Sequence, residues 1–139
     1  MIVIDTSFFI SLFLAKDPNA SKAEEIYPTI QEEKVVTEDI LKETLTIVSQ
    51  RVGKTGSIDA YRRIAGDCTI LAVSHDRFAA GLTRFIDPST PKDISLIDCI
   101  TDSICRELGT KRILSFDRHF RSLGLTVIPS ASPLKTTRS

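Results

Sequence analysis

Ile2-Val3-Ile4 is an unbroken apolar run that stops on Asp5, and three β-branched residues without polar alternation predict a strand buried on both faces, as in a parallel sheet. Cys68 to Val73 repeats that buried type, while Lys34 to Thr37, Arg112 to Ser115 and Leu125 to Ile128 read as short strands. Between them the apolar spacing turns helical. Phe8, Phe9, Ile10, Leu12, Phe13 and Leu14 surround a short helix on nearly every side, which predicts burial all round, part of it against another subunit. Asp17-Pro18-Asn19 breaks that helix, and Asn19 is placed to cap a polar helix through about Glu33 that Pro28 kinks or ends early. From Glu38 to Val52 the residues Ile40, Leu41, Thr44, Leu45, Ile47, Val48 and Val52 recur at helical spacing, with Glu43 on the border between the apolar and polar faces. Ser57 is expected to cap a helix to about Gly66, and Ser74 opens another that ends near Ile86. Leu96, Ile100, Ile104 and Leu108 form the apolar row of a helix that begins at Ser95 and ends at Gly109.

Strands alternating with helices predict an α/β fold, a central parallel β-sheet flanked by helices in three layers. With 139 residues the chain fits one domain, expected over residues 1 to 129, while residues 130 to 139 carry short polar residues, prolines and cations without apolar period and read as a disordered tail. Eighteen basic and eighteen acidic side chains cancel, so no global field draws the molecule to nucleic acid or membrane. The three cysteines Cys68, Cys99 and Cys105 sit in apolar runs without paired metal-ligand spacing and read as reduced core residues of a cytoplasmic protein. The apolar run from Phe8 to Ala15 lacks a basic segment before it and is too short to span a bilayer.

The candidate chemistry lies in acids at element ends. Asp5 follows the first strand, at the sheet edge where open α/β folds bind ligands, although Asp5 or Thr6 would equally cap the next helix. Asp117 repeats that placement after Arg112 to Ser115, with Asp76 in the similar segment Ser74 to Phe78 as its rival. Asp98 and Asp102 are four apart on one helix, a spacing that destabilises unless a cation lies nearby; Ser95 with Asp98 also resembles a capping box. If Asp5, Glu43, Asp98 and Asp117 converge, they form an all-oxygen site suited to magnesium or manganese rather than zinc or copper. Such an ion activates water and stabilises the leaving oxygen of a phosphodiester. Arg51 to Ser57 superficially resembles a phosphate-binding loop but lacks the first glycine, since Val48 stands there, and it follows a helix.

Four segments, Val3-Ile4-Asp5-Thr6-Ser7, Ile40-Leu41-Lys42-Glu43, Ser95-Leu96-Ile97-Asp98-Cys99 and Leu114-Ser115-Phe116-Asp117-Arg118-His119-Phe120, resemble in order and spacing the PIN-domain ribonucleases, especially the VapC-type toxins. The resemblance covers residues 1 to about 129. It implies a PIN-like fold and Mg2+- or Mn2+-dependent cleavage of RNA. By that resemblance Asp5, Asp98 and Asp117 match the metal-binding acids, Glu43 completes the catalytic set, and Thr6 and Ser115 line the pocket. Asp102 is a possible additional acid that joins the metal or replaces Asp98. The family implies a homodimer and a small antitoxin that fills the groove. With no net charge, RNA would be steered locally, by Arg118, His119, Arg121, Lys92 and Arg51, or these are solvated helix-end cations. The competing reading is a non-catalytic PIN-like module that binds RNA or protein. A phosphoacceptor domain fits less well, because Asp5 lacks an acidic neighbour and no Lys is well placed, and a haloacid-dehalogenase-like phosphatase needs Asp where Ser7 stands.

Overall fold

A computed structural model describes residues 1–130; the expected tail beyond residue 130 lies outside the described residues. Five parallel strands, β1 (Ile2–Ile4), β2 (Lys34–Thr37), β3 (Cys68–Leu71), β4 (Arg112–Leu114) and β5 (Thr126–Ile128), form one sheet in the order β3-β2-β1-β4-β5. The helices are α1 (Thr6–Phe13), α2 (Ala20–Ile26), α3 (Glu38–Asp67), α4 (His75–Phe85), α5 (Leu96–Leu108) and α6 (His119–Ser122).

Strand pleating sorts the core into two layers. Ile2, Ile4, Val36 and Leu114 point to one face, where they pack with Phe8 and Phe9 of α1, Ala23 of α2 and Ile40 and Ile64 of α3. Val3, Val35, Ile113 and Val127 point to the other and meet Cys99 and Cys105 of α5 and Phe120 of α6. The expected three-layer α/β architecture is therefore present. Because β1 is central and the chain leaves it first toward β2 and later reaches β4 on its other side, the sheet order reverses between β1 and β4. Their carboxyl ends open the crevice in which such sheets place a site.

Several boundaries differ from expectation. The polar helix does end early, at Ile26, with Pro28 in a 3-10 turn over Tyr27–Thr29 as its proline predicts, but Asn19 precedes α2 without a side-chain cap. Helical structure runs from Glu38 to Asp67, interrupted only by Gly53 in the left-handed region at φ 87°. Ser57 is thus no cap: its hydroxyl donates to the Leu45 carbonyl at 2.9 Å, tying the second half of α3 back against the first. The turn needs a single glycine, because φ above zero costs glycine little. β3 is an edge strand with partly exposed residues rather than a fully buried one. Its Cys68 is half-buried, while Cys99 and Cys105 are buried; all three are free thiols. Burial pushes the Cys105 thiol up to about 12, so it stays unreactive.

Candidate active site

Asp5 leaves β1 and caps α1, its Oδ2 accepting the Ser7 amide at 3.3 Å. Two hydroxyls reach the same oxygen, Ser7 Oγ at 2.9 Å and Ser115 Oγ at 3.0 Å. Each hydroxyl also accepts an amide from the segment after β4: Phe116 N–H donates to Ser7 Oγ and Asp117 N–H to Ser115 Oγ, both at 2.9 Å. With the Asp5 amide donating to the Leu114 carbonyl at 2.9 Å, the ends of β1 and β4 become one rigid unit. The cap and the site are therefore the same residue.

Glu43 projects from α3 and accepts a hydrogen bond from the Thr6 hydroxyl, so the border position on the helix does face the crevice. Asp98 opens α5 in a capping box: its Oδ2 accepts the Ser95 amide at 3.1 Å and its own amide donates to Ser95 Oγ at 3.0 Å. Asp117 follows β4 and accepts the His119 amide on Oδ1 at 2.9 Å. Asp5, Thr6, Glu43, Asp98, Asp117 and His119 line one cleft with Asp93, Ser95 and Ile97.

Burial governs the protonation of Asp5 and Asp98. It pushes the Asp5 carboxyl up from 3.8 to about 6, against the lowering effect of the Ser7 and Ser115 hydrogen bonds. Asp98 is also raised, first by desolvation and then by the charge of Asp117, with the Ser95 hydrogen bonds and His119 opposing. Carboxylates held together at this cost suit a cation. Ligand atoms of Asp98, Asp117 and His119 lie within 4.8 Å of one another. This oxygen-rich donor set, with Asp5 beside it in the same cleft, fits a hard divalent ion.

The chain matches the PIN domain family over residues 2–125. It belongs to the PIN-domain family. Among solved structures, the PIN domain is similar to VapC20 of Mycobacterium tuberculosis, described as a Sarcin-Ricin loop cleaving toxin: TM-score 0.83, 20% identity, 91% of this chain and 97% of that one covered. A toxin-antitoxin complex from Klebsiella pneumoniae gives a TM-score of 0.64 at 12% identity, covering 85% of this chain and 88% of that one. At these identities the likeness is one of fold. No curated protein matches by sequence.

Other expected site residues of this PIN domain lie elsewhere. Asp102 is wholly buried, 3.0 Å from Arg84 Nε and 3.1 Å from Arg106 Nε, and does not line the cleft. Asp76, the rival of Asp117, is exposed in the first turn of α4. Arg118 and Arg121 line a neighbouring cleft with Asn19, Lys22, Ser115 and Asp117, whereas Arg51 lines a different one with Asp17 and Pro18. Lys92 is exposed and lines neither. Ser7, Asp93 and Lys22 were not singled out in the sequence. For Ser7 a signal existed, a hydroxyl two residues after a capping Asp; Asp93 and Lys22 carried none.

Proposed function

We propose that this protein is a divalent-metal-dependent endoribonuclease, the toxin of a toxin-antitoxin pair, acting in the cytoplasm on RNA. The observation that carries the reading is the meeting of Asp5, Glu43, Asp98 and Asp117, supplied by separate elements, in one cleft at the switch point of a PIN sheet. A likeness in fold to a toxin described as cleaving the Sarcin-Ricin loop supports RNA as substrate, and a likeness to a toxin-antitoxin complex supports a small protein partner. Buried free thiols at Cys99 and Cys105 suit a reducing compartment, and no helix among the described residues is long and apolar enough to cross a membrane.

Mg2+ or Mn2+ bound by these acids would supply an activated water and charge stabilisation for the phosphodiester. The chain's own residues do the rest. Asp5, Asp98 and Asp117 would hold the ion, and Asp5 is clamped by Ser7 and Ser115 so that its carboxylate cannot swing away. Thr6 orients Glu43 toward the cleft. Lys22, Arg118 and Arg121, around the adjoining cleft, lead the RNA backbone toward Asp117. Exposed Phe78, Phe85 and Ile86 in and after α4 leave apolar surface for a homodimer partner or antitoxin.

Four acids in one cleft favour turnover over a binding-only role, and among the described residues its lining holds no lysine of the kind phosphoacceptor chemistry uses. The test is cleavage of end-labelled single-stranded and stem-loop RNA. Asp98→Asn is expected to fold normally by circular dichroism and to lose at least ~100-fold in rate, the scale of several kcal/mol of charge stabilisation. Full activity in that variant, or RNA binding without cleavage in any divalent ion, would overturn the reading.

A further inference from the structure

The imidazole of His119 faces three carboxylates. Its Nδ1 lies 3.1 Å from Asp117 Oδ1 and 3.9 Å from Asp98 Oδ2, and its Nε2 lies 3.5 Å from Asp93 Oδ2. A histidine meant to grip an RNA phosphate would turn a nitrogen toward open solvent. Here both nitrogens point at anions, which repel phosphate.

We infer that His119 Nδ1 is a metal ligand alongside Asp98 and Asp117, and that Asp93 is the outer carboxylate that orients its ring. The inference rests on the metal-dependent reading above and extends it to the composition of the ligand set. The spacing permits it: both Nδ1 separations are shorter than the ~4.2 Å between opposite ligands of an ion with bonds of ~2.1 Å. A ligating histidine characteristically gives its second N–H to a carboxylate, which fixes the tautomer and leaves the other nitrogen free to coordinate. Asp93 occupies that place on the Nε2 side. The helix α6 that carries His119 starts directly after the Asp117 turn, and the His119 backbone N–H donates a hydrogen bond to Asp117 Oδ1 at 2.9 Å, which holds that carboxylate beside the residue bearing the imidazole. A nitrogen in an otherwise oxygen set shifts preference away from Mg2+, a hard ion, toward transition ions such as Mn2+.

A plain ion pair, an imidazolium neutralising the acids, makes the opposite prediction. Removing it would free negative charge and tighten cation binding. Removing a ligand loosens it.

The test is Mn2+ titration of the chelator-stripped full chain, followed by electron paramagnetic resonance, with spin-echo modulation to detect a coordinated 14N. The wild type and His75→Ala should show 14N modulation, and His119→Ala should lose it with about tenfold weaker Mn2+ binding and a lower ratio of Mn2+ to Mg2+ affinity. Asp93→Asn should keep the modulation and bind Mn2+ about tenfold more weakly, the usual cost of losing an outer partner. Circular dichroism of each variant separates these effects from misfolding. Bound Mn2+ without 14N modulation in the wild type, or unchanged or tighter binding in His119→Ala, overturns the inference and leaves the metal-dependent reading standing. Failure of the wild type to bind Mn2+ overturns both.

Discussion

Asp5 carries the largest electrostatic burden of any acid in the cleft. Its carboxyl, ordinarily at 3.8, is raised by burial to about 6, so between those values the folded state binds more protons than the unfolded. The metal-free protein must therefore lose stability as the pH rises from about 4 to about 6, with a cost on the order of 3 kcal/mol above that window. Asp5→Asn removes the cost. In chelator at pH 7.5 its thermal midpoint is expected above that of the wild type, with the two converging near pH 4; a variant no more stable at pH 7.5 contradicts the assignment of strain to this carboxylate. Asp102 shows the limit of reading residues by spacing. Its position four after Asp98 suggested a shared cation, yet the cations it meets are Arg84 of α4 and Arg106 of its own helix, and no local pattern announces the first of these. Asp102→Ala should cost about 1–3 kcal/mol by denaturant unfolding, discounted because both arginines reach solvent, while leaving Mn2+ affinity unchanged. A loss of Mn2+ affinity at preserved fold would return Asp102 to the site.

At the scale of elements, the acids at strand ends and helix starts were legible because those positions serve two ends at once. Asp5 and Asp98 satisfy free helix amides and face the crevice, so a capping signal and a site signal coincide. Less legible was the packing of α4 on α5. At Gly81, mid-helix, a Cβ would come within 2.7 Å of Ile100 Cα and 2.9 Å of Ile100 N, so the close approach of the two helices depends on the missing side chain. Helix propensity alone says that alanine there should help. The contact says otherwise: Gly81→Ala should destabilise by about 1–3 kcal/mol, as overpacking does, and a stabilised variant would show that the helices part without cost. Ser57 is no cap for a related reason: Gly53 breaks α3 four residues earlier, so Ser57 already lies inside the second helical half and its hydroxyl turns to the Leu45 carbonyl instead.

On the scale of the whole molecule, parallel α/β architecture followed from buried-type strands separated by helices, whereas strand order did not, because order depends on which side of β1 each crossover lands. That order creates the site: only with β4 beside β1 do Asp5 and Asp117 become neighbours, joined through Ser7 and Ser115. With zero net charge, RNA has to be held by a local patch of cations rather than by a global field. Lys22, Arg118 and Arg121 around one cleft beside Asp117 offer a local answer, and their combined replacement by alanine should weaken RNA binding and flatten its salt dependence, with metal affinity unaltered. The proposed chemistry converges on a single point, the place where Asp98 and Asp117 approach each other beside Asp5. Anomalous diffraction at the manganese edge from a crystal soaked in Mn2+ tests it directly. The predicted result is a peak in that cleft bonded to Asp98 and Asp117; a peak only elsewhere, or none at saturating Mn2+, would contradict it.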